Sequence, residues 1–198
     1  MKGSLIIVGF FVLGTLCGVC HLLPFDIAET NISYYALCAL MFSVGLSVGN
    51  DPQTLKNFRS LNPRLVFLPI MTILGTLAGS AAVSLILTHR SITDCLAVGS
   101  GFGYYSLSSI FITEYKGAEL GTIALLANIS REILTLLAAP LLVRWFGNLA
   151  PISAGGATTM DTTLPIITRT AGQQFVVVSI FHGFVVDFSV PFLVTLFC

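Results

Sequence analysis

Apolar residues in this chain fall into long runs separated by short polar stretches, at 4–23, 32–48, 65–88, 120–143 and 175–197. A helix needs about 20 apolar residues to cross the hydrocarbon core of a bilayer. Each run is long enough, or nearly so, to be a membrane span. Two stretches between them break the pattern. Residues 92–113 hold Asp94, three glycines in Gly99-Ser-Gly101-Phe-Gly103, and five serines and tyrosines from Tyr104 to Ser109. Residues 151–174 hold Gly155-Gly156, six threonines, Asp161, Pro165 and Arg169.

Neither broken stretch suits a lipid-facing helix. Irregular backbone survives at membrane depth where protein or a cavity covers it, so both are expected to be re-entrant or broken helical elements. The predicted fold is an all-α, polytopic membrane helical bundle in one integral membrane domain, 1–198. It has about five spanning helices and two re-entrant elements, or seven spans if both elements cross. Paired interruptions of this kind mark binding sites in transporters. The loop carrying Lys56, Arg59 and Arg64 is the one basic loop, and the positive-inside rule makes it cytoplasmic. Lys2 then lies inside, the loop with Asp26 and Glu29 outside, and the C-terminus outside in either count.

Composition sharpens the class. Of 198 residues 55% are hydrophobic and 9% charged, against about 25% charged in ordinary soluble domains. Mean hydropathy is +0.94. Net charge is zero, so the chain lacks the basic field of a nucleic-acid binder. Lys2 and the apolar run after it imitate a signal peptide, but the run ends at Pro24 without a small-residue cleavage site, which reads as a retained first span. Gly14-Thr-Leu-Cys-Gly18 places two small residues on one face of that span, where another helix can pack closely. Cys17, Cys20, Cys38, Cys95 and Cys198 are an odd number and mostly sit in apolar runs, as small hydrophobes do. No disulfide framework, metal-ligand spacing or cofactor is expected.

The chemistry concentrates in Asn128-Ile-Ser-Arg131-Glu132. Glu132 is the thirteenth residue of the 24-residue run 120–143, near the bilayer midplane. A carboxylate there costs several kcal/mol unless it faces a cavity or a partner. Asn128 shares a helix face with Glu132 at i, i+4 and with Arg131 at i, i+3. The bland alternative is that Arg131 and a carboxylate lock two helices together. Asp187 lies mid-span in the last run and His182 five residues before it, as a proton relay or as part of a packed polar cluster. Asp161 among Thr158, Thr159, Thr162 and Thr163 suits a re-entrant tip lined with oxygens, the alternative being a water-exposed turn. Substrate or coupling-ion contacts are thus expected from Glu132, Arg131, Asn128, Asp161, Asp187, His182, Thr159 and Thr162.

Three enzyme-like patterns fail on context. Cys17-Gly-Val-Cys20-His21 matches a haem-attachment signature but ends a membrane helix with no haem domain around it. Gly45-Leu-Ser47-Val-Gly49 lacks the strand and helix of a nucleophile elbow. The glycines at 99, 101 and 103 lack dinucleotide-site spacing. A hydrolase built on Ser47, His182 and Asp187 is therefore remote, and the chain is read as a non-enzyme.

Gly101-Phe-Gly-Tyr-Tyr-Ser-Leu-Ser108, Asn128-Ile-Ser-Arg-Glu132, Gly155-Gly-Ala-Thr-Thr-Met-Asp-Thr-Thr-Leu-Pro165 and the stretch from His182 to Pro191 together resemble the LysO-type lysine exporter family. Their order and spacing cover most of the chain. The resemblance implies export of L-lysine, and of lysine analogues, across a bacterial inner membrane, with the acid of the Asn-x-x-Arg-Glu helix mapping onto Glu132. Typical members carry a further N-terminal membrane module, so the resemblance also implies a short membrane subunit as partner, or a homo-oligomer, in addition to lysine and membrane lipid. Antiport against a proton or another cation fits an intramembrane carboxylate. The competing function is a non-transporting membrane subunit that scaffolds a partner, its polar residues serving assembly alone.

Overall fold

The computed structural model describes residues 13, 16, 17, 35, 42, 63–87 and 89–198. The chain divides into two compact units, Met1–Asn50 and Asp51–Cys198, and the continuous described stretch belongs to the second. Apart from five single residues, the runs expected at 4–23 and 32–48, the acidic and basic loops, and the motifs around Gly14 and Ser47 lie outside the described residues.

Among the described residues every element is helical. A 3-10 turn, Pro63–Phe67, leads into α1, Leu68–Ile86, with Pro69 in the first turn, where its missing N–H costs nothing. Ser91 starts α2, Ile92–Gly99, with a reciprocal capping box: its hydroxyl accepts from the Asp94 N–H, and the Asp94 carboxylate accepts from the Ser91 N–H. Helix α3 is Tyr105–Lys116 and α4 is Ala118–Phe146. Then come α5, Ala150–Gly155, a 3-10 turn, Gly156–Met160, and α6, Leu164–Ala171. After the 3-10 turn Gln173–Phe175, the chain ends in α7, Val176–Phe197.

Three helical stretches, Leu65–Ile86, Ala118–Phe146 and Gln173–Phe197, are long and apolar enough to cross a membrane. Their outer faces present large apolar side chains, among them Leu85, Leu137, Phe146, Phe192 and Leu196. Water would penalise such a surface, whereas lipid matches it.

The two broken stretches are helical hairpins that open at opposite ends of these three helices. At one end Asp94, in the first turn of α2, pairs with Lys116, in the last turn of α3, at 2.7 Å. Arg90, which follows α1, pairs with Glu119 at the start of α4. The α2–α3 hairpin thus begins and finishes at the C-terminal end of α1. At the other end Ile152 of α5, Ile167 and Ala171 of α6 and Val178 of α7 form one buried cluster, covered by Leu65, Leu68 and Val143. The α5–α6 hairpin therefore begins and finishes at the N-terminal end of α1. Each hairpin reaches into the bundle from its own end.

Candidate functional site

The hairpin tips meet in the interior. The first tip reverses over Ser100, Gly101, Phe102 and Gly103, all buried. Phe102 has φ 44°, a left-handed conformation that costs a bulky residue of the order of 1–3 kcal/mol. Such strain persists only where the surroundings hold it. Across the junction the Ala157 N–H donates to the Phe102 carbonyl at 2.9 Å. Gly156 makes that approach possible: its φ is 64°, and a Cβ there would collide with the same Phe102 oxygen.

A reversed chain at this depth leaves backbone groups that water cannot serve, and α4 serves them. The Asn128 Oδ1 accepts from the Gly103 N–H at 2.8 Å, and its Nδ2 donates to the carbonyls of Val98 at 3.1 Å and Ala124 at 2.9 Å. One turn on, Arg131 caps the C-terminal end of α5. Its Nε donates to Ala154 O at 2.8 Å and its Nη2 to Ser153 O at 3.0 Å, while Nη1 lies 3.4 Å from Thr76 Oγ1 of α1. The guanidinium also stands 5.9 Å from the centre of the Phe102 ring, within cation–π range. Among the described residues Arg131 has no carboxylate partner, so the helix-locking ion pair considered from sequence is not formed there. Arg131 joins the two tips through carbonyls and an aromatic face.

His182, fully buried on α7, ties the second tip to the frame. Its Nδ1 meets Thr159 Oγ1 at 3.2 Å and its Nε2 meets Thr72 Oγ1 of α1 at 2.9 Å. The Thr159 hydroxyl hydrogen has carbonyls to serve, at Gly156 and Ser179, which leaves its lone pairs for an Nδ1–H. Thr72 then donates to Nε2. Thr158 also turns inward, onto Gly155 O and Thr163 Oγ1. These threonines support the broken backbone.

The acids form a different neighbourhood. Glu132 is half-buried, makes no hydrogen bond or ion pair among the described residues, and acts electrostatically on Tyr105 at the start of α3. Asp187 on α7 is 5% exposed and likewise has neither kind of partner. Its charge acts on Tyr104, and that of Asp161 acts on Asp187, Tyr104 and Tyr105. Asp161 and Thr162 are exposed, and the Asp161 carboxylate accepts from the Thr162 N–H and hydroxyl. Three carboxylates thus lie within electrostatic reach of the two tyrosines at the first tip's exit into α3. Sequence reasoning missed Tyr104, Tyr105, Phe102 and Thr72. The tyrosines carried a signal, since they follow the glycine break directly.

A cleft of about 750 Å³ opens between α1, α2 and α4. His89, Arg90 and Asp94 lie at one end, Val83, Val98 and Ile123 on its walls, and Thr76, Asn128 and Arg131 at its base. This volume suits a small molecule. Arg131 also borders a second hollow of about 490 Å³, with Ser130, Leu134 and Thr135. Among the described residues no group of three or more His, Cys, Asp or Glu could hold a metal ion.

Residues 8–198 match the family described as lysine exporter LysO. The chain is 36% identical over 194 residues to the lysine exporter LysO of Escherichia coli (strain K12), an alignment that covers 98% of this chain and 64% of that protein. It is 34% identical over 194 residues to a "Putative lysine exporter" of Haemophilus influenzae (strain ATCC 51907 / DSM 11121 / KW20 / Rd), covering 98% of this chain and 95% of that one. The chain therefore spans a little under two thirds of its Escherichia coli relative. No solved structure matches it.

Proposed function

Since the chain belongs to the lysine exporter LysO family, we propose that it is a secondary transporter that carries L-lysine, and analogues with the same charges, out across a bacterial inner membrane. The observation that carries this reading is Glu132, a carboxylate midway along a long apolar helix, beside the junction of two opposed hairpins and without a counter-ion among the described residues. An ammonium about 4 Å away would gain roughly 4 kcal/mol at an effective dielectric near 20. That attraction is weak enough to be reversed by a proton or another cation, which makes antiport the natural cycle.

In this reading both hairpins are re-entrant. Their tips share the midplane, and each hairpin is anchored at its own membrane face, so small movements at the tip junction expose the site to one side or the other. Glu132 receives the lysine side-chain ammonium. Asp161 and Asp187 add negative potential. Arg131 and Asn128 fix the tips and present the guanidinium edge nearest Thr76 to the substrate carboxylate. His182, Thr159 and Thr162 are positioning residues that hold the second hairpin and Asp161.

The test is efflux of lysine from loaded cells. Glu132→Gln keeps the shape and removes the charge, and is expected to lower efflux by about a hundredfold, the equivalent of roughly 3 kcal/mol. Normal efflux from a variant present at wild-type level in the membrane would remove Glu132 from the mechanism.

A further inference from the structure

Asp187 is unlike every other carboxylate among the described residues. Asp94 and Glu119 are ion-paired, Glu114 is exposed, Asp161 is exposed and hydrogen-bonded, and Glu132 is half-buried. Asp187 is more than nine-tenths buried with no hydrogen bond and no cation. Leaving a charge in that state costs several kcal/mol, and evolution has cheaper residues for packing a helix. Its oxygens keep a narrow accessible surface, through which a ligand can reach them.

The surroundings restrict what that ligand is. Helix α1 contributes no titratable side chain between Leu68 and Ile86. From the second tip comes Asp161, and from the start of α3 comes Tyr104. On α2 the one charged side chain, Asp94, is engaged by Lys116 of α3. Arg169 of α6 is exposed. On α7 itself, His182 is occupied by Thr72 and Thr159. No cation among the described residues reaches the carboxylate. Hard metal cations such as Ca²⁺ and Mg²⁺ need about six oxygen ligands, and among the described residues no group of three or more His, Cys, Asp or Glu could hold one. A proton needs one oxygen.

We propose, on the basis of the exporter reading above, that Asp187 is the proton-carrying carboxylate of the cycle, with Asp161 as its link to water, while Glu132 carries the substrate. One Asp187 oxygen accepts a proton delivered past the exposed Asp161 when that side is open. The same O–H bond breaks toward the opposite face after the tips have rearranged, so one proton enters for each turn. Glu132 is left free to exchange lysine, which separates the two tasks between α4 and α7.

The test uses the full chain reconstituted in liposomes with radiolabelled lysine. In wild type, an imposed pH gradient should drive lysine accumulation, and the Asp187→Asn variant should reduce that response by about 5–150-fold, the usual range of coupling between two sites. Lysine-for-lysine exchange moves no net proton and should fall far less. Gradient-driven accumulation that survives in Asp187→Asn overturns the proposal, as does equal loss of both activities. If Asp187→Asn is not recovered folded, Asp187→Glu decides: a displaced pH profile for transport supports the assignment, and an unchanged one refutes it. Absence of any lysine exchange in wild type would instead reject the exporter reading itself.

Discussion

Asn128→Ala tests the claim that α4 holds the broken backbone of the first tip. Asn128 is 3% exposed and makes three hydrogen bonds, but they are not equivalent. The Ala124 carbonyl belongs to a regular helix and keeps its ladder partner. The Val98 carbonyl also accepts from the Gly101 N–H, at 3.3 Å. The Gly103 N–H has Asn128 Oδ1 as its acceptor. Truncation therefore orphans one buried donor, at about 1–3 kcal/mol, and removes two supplementary bonds, at about 0.5–1.5 kcal/mol each. The sum is about 2–6 kcal/mol, which at 2–4 °C per kcal/mol for a chain of this size lowers the melting temperature by about 4–24 °C. Asn128→Asp keeps the acceptor for Gly103 but turns an anionic oxygen toward two carbonyls, so at neutral pH it should melt below Asn128→Ala. The assay is thermal unfolding in detergent, followed by size-exclusion fluorescence. If Asn128→Ala melts within about 2 °C of wild type, or Asn128→Asp is the more stable of the two, the Gly103 N–H has another partner and the support role is wrong.

Two further outcomes follow from the geometry. Gly156→Ala should cost about 2–4 kcal/mol, because it adds left-handed strain and pushes against the Phe102 carbonyl that Ala157 must reach; lysine efflux should fall with it, and wild-type melting and efflux would show that the tips do not meet as described. At the mouth of the first hairpin the Lys116 ammonium, hydrogen-bonded to Asp94, holds that carboxyl below its ordinary value of 3.8. Its contribution is then complete above that value and lost as pH falls through the lower folded one. The pair is partly exposed and worth about 0.2–1 kcal/mol, so a double-mutant cycle of Asp94→Asn and Lys116→Met should show a small coupling that vanishes in high salt or strong acid.

The second half of the fold was legible because apolar length is a direct readout of membrane physics. The runs near 65–88, 120–143 and 175–197 are where the three long helices lie. The breaks were legible too, since Gly99-Ser-Gly101-Phe-Gly103 and Gly155-Gly156 have little reason to stand in a spanning helix. Periodicity could not say that the breaks touch. Ala157 and Phe102 are joined by backbone atoms, which carry no residue-type signal, and Gly156 looks like any other glycine until its φ is known. The same limit applies to Thr159 and Thr162. Both were expected to line a solute path, yet Thr159 faces His182 and two carbonyls, while Thr162 braces Asp161.

The neighbours Arg131 and Glu132 illustrate how one helix divides charge. Successive residues point about 100° apart on an α-helix, so the two side chains leave the helix in different directions. Arg131 turns toward α5 and Phe102, where carbonyl oxygens and a ring face satisfy it without a carboxylate. Glu132 acts electrostatically on Tyr105, and among the described residues no cation pairs with it. Had the arginine been spent on Glu132, the negative charge would be neutralised internally and a lysine ammonium would have to displace a tethered guanidinium. Placing carbonyls rather than carboxylates around Arg131 keeps the cationic clamp and the anionic site a single residue apart in sequence yet independent in chemistry. In the proposed cycle the clamp can then hold the tips together while the charge at Glu132 and Asp187 changes hands.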